Sequence, residues 1–352
     1  MIDVDGSMME GGGQLLRMAV TYSAILDEPV RVRSIRAKRS QPGLKPQHLA
    51  TLKAVAEICG ADASGLKVGS LDVTFIPSKI RGGSYEFDIG TAGSVSLLLQ
   101  CVAPIACFAD SGVRLKIIGG TAVRWSPPMP LLENVIWRAL GEMGFAGEVR
   151  VVREGFYPRG GGIVEVAIRP LKSLQRFIAE KPRRTELVHG VSICGRLPRH
   201  VAERQAAAAE QALKQAGYKA DISVASLEGS SAPFSPSSYV CLWAGDGLFM
   251  GSDSLGERGK PAEGVGVEAA TGIVTQLATG AAVDYHTADN LILPCSIALG
   301  SSSFTASSLT MHTITAVELA RQMTGTKIVV DGGKDRPERI TCEGIGLTNK
   351  TV

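Results

Sequence analysis

Aromatic residues are scarce in this chain of 352 residues, since phenylalanine, tyrosine and tryptophan together make up 5 % of it. Such a composition argues against a protein that binds nucleic acid through rows of stacked aromatic rings. The chain also has little excess of either charge, because its formal net charge is only +3. This balance permits a phosphate-rich partner but does not by itself indicate one.

Paired cysteines are absent as well. The seven cysteines are spread singly along the chain, and no two of them form a C-x-x-C pair. A structural zinc site is therefore not expected. Most of the cysteines have apolar neighbours, which indicates small core residues rather than metal ligands.

Long apolar runs are missing too. No stretch approaches the length that a membrane-spanning helix needs, and the amino terminus lacks the basic and apolar regions of a secretory signal. We therefore expect a reduced, cytoplasmic protein with no membrane partner.

The common nucleotide-binding and hydrolytic motifs do not occur. The sequence has no G-x-x-x-x-G-K-[ST], no G-x-G-x-x-G after a strand, no H-E-x-x-H and no G-x-S-x-G. Any nucleotide chemistry must use another device.

What the chain does have is glycine, with 41 residues, and a length that exceeds what one hydrophobic core usually covers. A glycine-led or helical apolar segment followed by a short strand recurs, with copies that end at residues 30–35, 113–120 and 326–333. This recurrence predicts an α/β protein made of a few similar units, each a small sheet backed by helices. An ordinary α/β chain also contains many helices followed by strands, so this pattern alone does not establish a structural repeat.

The character of the sequence changes between about residues 183 and 278. The predicted elements there are a strand at 187–193, a helix at 201–217, a strand at 220–224, a strand-like run at 240–250 and a helix at 265–278. This β-α-β-β-α string is self-contained. We therefore predict a smaller inserted α/β domain at 183–278, and a discontinuous large domain at 1–182 and 279–352.

His312 is the first candidate for chemistry. The segment from Ser307 to Ala320 is typical of a capped helix, in which Ser308 or Thr310 serves as the N-cap. His312 then lies in the first turn, where the free N–H groups and the helix dipole favour a neutral imidazole and an incoming phosphate. That position suits an acceptor of a phosphoryl or nucleotidyl group, although a purely structural histidine fits the same pattern.

The amino-terminal glycine run is the second candidate. Glu10 precedes three glycines, and Arg17 follows in an otherwise apolar helix. Glycine lets the backbone approach a ligand closely, and a carboxylate can bind a hard divalent cation. An arginine on an apolar face needs an anionic partner, unless it extends its charged end to solvent.

A basic stretch that leads into a helix is the third candidate. Residues 36–48 contain Arg36, Arg39, Gln47 and His48 among other cations and polar side chains. Phosphate contact is one interpretation, and a solvated loop is the other.

Together these pieces resemble the RNA 3′-terminal phosphate cyclase family. The resemblance extends from residue 2 to about 340 and is carried by pieces in family order: Asp5-Gly6, Glu10-Gly11-Gly12-Gly13-Gln14, Ser34-Ile35-Arg36-Ala37, Pro42-Gly43-Leu44, Gln47-His48-Leu49, Gly93-Ser94, Gly155-Phe156-Tyr157-Pro158, Gly160-Gly161-Gly162, Pro198 to Arg204, Asp289-Asn290-Leu291 and His312.

The resemblance implies a large domain of three repeated units, each a four-stranded sheet with two helices, and a smaller inserted α/β domain. It also implies a ligase that forms phosphoric ester bonds by converting an RNA 3′-terminal phosphate to a 2′,3′-cyclic phosphodiester with ATP. In that scheme His312 takes AMP from ATP to give a histidyl–AMP enzyme, AMP passes to the RNA as RNA(3′)pp(5′)A, and the 2′-OH then expels AMP.

The same resemblance assigns roles to further residues. Glu10 would hold Mg²⁺ or Mn²⁺, and Arg17, Arg36 and Arg39 would neutralise phosphate charge. Gln47 and His48 would border that site. The remaining nucleotide-binding positions are Pro127 or Pro128 and Tyr285 around the adenine, and Asp289 with Asn290, where the family often has Asp-Gln, near the phosphates or the metal.

Two other functions stay open from the sequence. One is a catalytically silent relative that serves in ribosomal RNA processing, which would lack the nucleophilic histidine and the charged residues around it. The other is a small-molecule transferase of the enolpyruvyl kind, built from similar units, which needs no histidine adenylate. The sequence does not decide between a monomer and a homodimer.

Overall fold

The computed structural model describes residues 1–180, 185–245, 247–333 and 336–352. These residues form a mixed α/β protein with four four-stranded sheets, each packed against helices. Three of the sheets share one topology. In each of them the first strand pairs parallel with the second, the second antiparallel with the fourth, and the fourth antiparallel with the third.

The first unit lies at the amino terminus. Its elements are β1 (Ile2–Asp5), α1 (Gly13–Leu26), β2 (Val30–Arg33), α2 (Pro46–Ile58), β3 (Asp62–Ser64) and β4 (Val73–Ile76). The buried side chains of β2 alternate with exposed arginines, because successive residues of a strand point to opposite faces. The apolar face therefore packs against α1 and α2, and the other face contacts solvent.

The second unit repeats this order, with a second helical segment that is divided into three stretches. Its elements are β5 (Gly83–Asp88), α3 (Val95–Ala106), β6 (Val113–Gly119), α4 (Met129–Leu131), a π-helical stretch (Leu132–Trp137), α5 (Arg138–Gly141), β7 (Gly147–Arg153) and β8 (Gly162–Ile168). This segment begins directly after Pro127-Pro128, where proline suits the start of a helix.

The third unit is split along the chain. Its elements are β9 (Ile178–Ala179), α8 (Tyr285–Ile297), β14 (Ser301–Ala306), α9 (Met311–Thr324), β15 (Ile328–Gly333) and β16 (Arg336–Glu343). The short strand β9 pairs parallel with β14. The fourth sheet thus enters the sequence between the first strand and the first helix of the third unit.

The fourth sheet has a different order. Its elements are β10 (Leu187–Gly195), α6 (His200–Gln215), β11 (Lys219–Leu227), a 3₁₀ turn (Gly229–Ser231), β12 (Ser237–Ala244), β13 (Gly251–Leu255) and α7 (Ala262–Ala278). One face of β12 presents Val240 and Leu242 to a core that it shares with α6 and α7. The opposite face presents Tyr239 and Cys241 to the main hydrophobic core.

Three expectations from the sequence need comment. The copy that ends at 326–333 is β15, the third strand of its unit, so it does not correspond to the other two copies, which end in the second strands β2 and β6. The run 240–250 contains only the end of β12, and the prediction missed the strand β13. The predicted domain boundary between 182 and 183 lies outside the described residues.

All seven cysteines are buried and unpaired, so their interpretation as core residues is confirmed. Within the described ranges, no helix is both long and apolar enough to cross a membrane.

Candidate active site

A cavity of about 780 Å³ lies where the helices of the three units meet the fourth sheet. The first turns of α1, α2, α8 and α9 all contribute to its wall. Helix N-termini carry free N–H groups and partial positive charge, so this arrangement favours an anionic ligand. Most of the residues that the sequence predicted for the site line this one cavity: Glu10, Arg17, Arg39, Gln47, His48, Pro127, Tyr285, Asp289, Asn290 and His312.

His312 occupies the second position of α9. Thr310 caps this helix, because its hydroxyl accepts the Thr313 N–H at 3.0 Å, and such a cap is worth about 1 kcal/mol. The imidazole Nδ1 of His312 lies 2.8 Å from a carboxylate oxygen of Glu10 and 2.7 Å from the amide oxygen of Gln14. A carboxylate can only accept, so Nδ1 carries the hydrogen and the neutral ring keeps its lone pair on Nε2.

The surroundings of His312 favour this neutral ring. Burial lowers the pKa of His312, and the cations Arg17 and Arg39 lower it further, whereas Glu10 opposes them. The result is an imidazole that is unprotonated at Nε2 at neutral pH and oriented through Nδ1.

Glu10 connects the histidine to a cation. One of its carboxylate oxygens contacts His312, and the other accepts from Arg39 at 2.5 Å. Glu10 comes just before the glycines that begin α1, so one carboxylate orients side chains from two separate elements. The sequence predicted all three residues for the site but not these contacts.

Arg17 lies in the second turn of α1 and lines the cavity. Burial lowers the pKa of its guanidinium. In the described part of the chain no carboxylate lies within ion-pair distance of Arg17, and the Cys101 thiol lies beside its guanidinium. A buried guanidinium without a counter-charge indicates an anionic ligand, because an unpaired buried charge is costly.

His48 and Gln47 lie in the first turn of α2. The His48 Nδ1 accepts the Lys45 N–H at 3.2 Å, which leaves the hydrogen on Nε2. Burial, with help from Arg17 and other cations, lowers the pKa of His48 to about 3. The His48 ring packs so closely on α1 that a Cβ at Gly13 would lie 2.2 Å from Nε2, and the Gln47 amide oxygen accepts the Ser94 N–H at 3.3 Å.

Asp289 connects α8 to the start of α9. A single carboxylate oxygen of Asp289 accepts hydrogen bonds from the hydroxyls of Thr310, at 3.0 Å, and Thr313. Burial raises the pKa of Asp289 to about 7. The structure thus places Asp289 behind His312 as a residue that holds the α9 terminus in position, and its neighbour Asn290 donates to the His286 carbonyl at 2.7 Å.

Larger apolar and aromatic side chains form another part of the cavity wall. Pro127, Leu131 and Trp125 form part of its wall, and Tyr285 forms another part. The Pro127 carbonyl accepts the Ser96 hydroxyl at 2.6 Å, which fixes the loop before α4. An apolar slot beside a cationic end suits a nucleotide with its base in the slot and its phosphates near His312.

Two predicted site residues lie elsewhere. Arg36 donates to the carbonyls of Gln41 and Gly43 at 2.7 and 2.9 Å and so shapes its own loop instead of lining the cavity. Pro128 caps α4 and does not line the cavity, whereas Pro127 does.

A family model described as RNA 3′-terminal phosphate cyclase matches residues 8–330 of this chain. The chain belongs to the RNA 3′-terminal phosphate cyclase family.

Similar proteins of this cyclase family come from several organisms. An RNA 3′-terminal phosphate cyclase of Methanopyrus kandleri is 44 % identical over 344 residues, which cover 97 % of this chain and 98 % of that protein. One of Ignicoccus hospitalis is 43 % identical, over 98 % of this chain and 99 % of the relative. One of Methanosarcina barkeri is 44 % identical, over 94 % and 97 %.

Among solved structures, the enolpyruvyl transferase NikO from Streptomyces tendae aligns with a TM-score of 0.40 and 13 % identity. The alignment covers 98 % of this chain and 48 % of that chain. A likeness this weak does not bear on the function of a cyclase-family protein.

The carboxylates of this cyclase-family site do not form a preformed metal cage. Within the described ranges, no group of three or more His, Cys, Asp or Glu side chains is placed to hold a metal ion. Mg²⁺ in nucleotide sites is usually held by one or two carboxylates, substrate phosphates and water. Glu10, at the cationic end of the cavity, fits such a site with a single protein carboxylate.

Sequence reasoning missed several residues that line this cyclase-family site. Gln14 belongs to the recognised glycine motif, but its contact with His312 joins residues 298 positions apart. His286, Asp284 and Asp253 also line the cavity. Asp284 carries a local signal that could have been read, since it is an N-cap residue that accepts the Thr287 N–H at 2.6 Å.

Proposed function

We propose that this protein is an ATP-dependent RNA 3′-terminal phosphate cyclase that works through a covalent histidyl–AMP enzyme. The observation that carries this proposal is the contact between His312 Nδ1 and the Glu10 carboxylate at 2.8 Å. It leaves Nε2 of a neutral imidazole as a nucleophile within a cavity of nucleotide size. Family membership supports the RNA 3′-phosphate as the second substrate.

In the first step, Nε2 of His312 attacks the α-phosphorus of ATP. The N–P bond forms while the bond from that phosphorus to the bridging oxygen breaks, and pyrophosphate leaves. Positive charge develops on the imidazole as Nε2 becomes bonded. Glu10 stabilises that charge through Nδ1–H, as a carboxylate orients and stabilises an imidazolium in other nucleophilic sites.

In the second step, an oxygen of the RNA 3′-phosphate attacks the same phosphorus and displaces His312, which gives RNA(3′)pp(5′)A. In the third step, the neighbouring 2′-OH attacks the terminal phosphorus of the RNA, its proton is released, and AMP leaves. Activation is needed because a phosphate monoester has no good leaving group, whereas AMP is one.

Arg17, His48 and Arg39 would bind the phosphate oxygens. Arg17 lacks a carboxylate counter-ion in the described chain, and His48 presents an Nε2–H donor. Gln47 would border the same phosphates, and Pro127, Tyr285 and Asn290 would contact the nucleoside. Mg²⁺ or Mn²⁺ held by Glu10 would supply charge neutralisation at the triphosphate.

The catalytically silent alternative is disfavoured by specific side chains. His312, Glu10 and Arg17 are all present and line one cavity. The enolpyruvyl alternative is disfavoured by the match to the cyclase family over residues 8–330.

Incubation with α-labelled ATP and Mg²⁺ tests the proposal. We expect label that is stable to alkali and labile to acid, as a phosphoramidate is, on wild-type protein but not on His312→Ala. His200→Ala is the matched control, because His200 begins α6 outside the cavity and should leave labelling unchanged. Unlabelled wild-type protein, or full labelling of His312→Ala, would contradict the mechanism.

A further inference from the structure

Asp253 is a charged residue of the cavity that the mechanism above does not use. It lies on β13 of the fourth sheet and lines the cavity together with its neighbours Gly251 and Ser252. The sequence around it is polar, and neither a motif nor the family resemblance assigned it a role.

Strand register explains why Asp253 reaches the cavity. Asp253 is directly opposite Cys241 in the antiparallel pair of β12 and β13. Residues that face each other across two strands project from the same side of the sheet. Cys241 lies in the main hydrophobic core on that side, so the Asp253 side chain also projects toward the three-unit body and away from α6 and α7.

The Asp253 carboxylate has no partner in the described part of the chain. No hydrogen bond or ion pair among the described residues involves its side chain, although Asp253 is partly buried. Its charged neighbours in the adjoining concavity are already engaged, since Lys260 contacts Glu268 and Arg124 pairs with Glu257 at 2.5 Å.

An enclosed carboxylate without a donor is costly unless a ligand supplies one. Desolvation, together with the nearby Glu268, raises the pKa of Asp253 to about 7. The raised pKa is consistent with a carboxylate that no hydrogen-bond donor stabilises. A phosphate cannot be that ligand, because it would repel the carboxylate.

The wall around Asp253 suits a nucleobase. A Cβ on Gly251 would lie 2.8 Å from Leu131 and 3.0 Å from Val135, so β13 packs directly on the apolar slot. Pro127 and Trp125 belong to the same wall, and Trp125 is 92 % exposed. An apolar slot with one convergent acceptor is the usual form of a base-recognition site.

We propose that Asp253 determines the nucleotide specificity of this site by accepting a hydrogen bond from the exocyclic amine of adenine. This inference rests on the proposed use of ATP by the same cavity. Guanine carries a carbonyl oxygen where adenine carries this amine, so the carboxylate selects for ATP and against GTP. Loss of a hydrogen bond to a charged group corresponds to a roughly 10- to 100-fold effect.

The test compares wild type with Asp253→Ala for two nucleotides, ATP and purine riboside 5′-triphosphate, which has hydrogen in place of the amine. We expect wild type to form the covalent adduct about 10- to 100-fold more efficiently with ATP, in kcat/KM. In Asp253→Ala the two nucleotides should become equal, through loss of efficiency with ATP alone. Asp221→Asn, an exposed change on β11 of the same sheet, should keep the wild-type ratio.

Three results would overturn the inference. Equal losses with both nucleotides would indicate a structural role for Asp253. An unchanged preference for ATP would show that the carboxylate does not contact the base. Loss of discrimination against 2′-deoxy-ATP instead would place the carboxylate at the ribose.

Failure of the proposed function would give a different pattern. If wild type forms no adduct with any nucleotide, the covalent mechanism is wrong. The base preference is then measured by isothermal titration of ATP and purine riboside triphosphate. A wild-type preference for ATP that Asp253→Ala abolishes would still support the role of Asp253, and equal affinities would refute it.

Discussion

The helices α2 and α9 occupy the same place in two copies of one structural unit, and each carries a histidine in its first turn. The two imidazoles are nevertheless prepared for different chemistry. His48 Nδ1 accepts a backbone N–H, so its Nε2 is a donor. His312 Nδ1 faces the Glu10 carboxylate and carries the hydrogen, so its Nε2 keeps a lone pair. The partner of Nδ1 thus decides whether Nε2 of a helix-terminal histidine is a hydrogen-bond donor or a potential nucleophile.

The largest effect should come from exchanging each histidine for glutamine. His312→Gln removes the nucleophile, and we expect adenylylation to fall by at least about 1000-fold, as for other nucleophile deletions. His48→Gln keeps a donor near the phosphates, and we expect a loss of about 10-fold, mainly in KM. Single-turnover labelling with α-labelled ATP measures both.

Equal losses in the two variants would break the comparison between α2 and α9. The wild-type acid limb of the pH profile should also persist in His48→Gln, because a group with a pKa of about 3 does not titrate between pH 5 and 8.

A smaller effect is expected for Glu10→Gln, which keeps an acceptor for Nδ1–H but removes the charge. We expect adenylylation to fall by about 10- to 100-fold, since the developing imidazolium loses its counter-charge. The sign of the pH effect follows from the pKa of His312. Glu10 raises that pKa, so its removal lowers it, and the acid limb of the pH–rate profile should move to lower pH.

The pH–rate profile of the adenylylation step, measured without RNA, tests this prediction. A shift of the acid limb to higher pH would show that Glu10 does not act on His312. An unchanged rate with an altered Mg²⁺ response would indicate that Glu10 acts only on the metal ion and not on His312.

The smallest effect is expected for Asp289→Asn, which preserves the acceptor for the two threonine hydroxyls. Burial raises the folded-state pKa of Asp289 to about 7, above its ordinary value of 3.8. Its contribution to stability is therefore fully present below pH 3.8 and is lost as the pH rises through about 7. The asparagine variant does not titrate and should not lose stability in this way. The Tm of the variant minus the Tm of wild type should therefore increase as the pH rises from 4 to 8.

Thermal unfolding at several pH values measures that difference, and adenylylation should stay within about 5-fold of wild type if the carboxylate only positions α9. A Tm difference that shrinks as the pH rises would mean that the Asp289 carboxylate is stabilised by a group outside the contacts described.

Much of the site could be predicted from local patterns. The start of α9 was visible because a threonine N-cap and the residues after it are neighbours in sequence. The glycine run before α1 likewise indicated a close approach, and it allows the contact between Gly13 and His48. The hydrogen bonds of Arg36 to carbonyls of its own loop could not be predicted, because sequence does not show which acceptor a cation meets.

Other features were beyond the reach of sequence patterns. The strand β13 is short and polar, so nothing in it alternates between apolar and polar residues. The third copy of the repeat was misassigned for a related reason, because a helix is followed by a strand at two places in every unit. Pairing partners decide which phrase corresponds to which.

By itself the sequence determined the helix starts, the α/β class and the identities of the ionisable groups, because capping and amphipathic periodicity act over only a few residues. The tertiary structure decided what each group does. Gln14 and His312 are 298 residues apart, and only the packing of the first unit on the third brings Glu10 and Gln14 to His312 Nδ1. The contact at Nδ1 fixes the tautomer of His312. The tautomer in turn decides whether Nε2, on the other side of the ring, carries a lone pair.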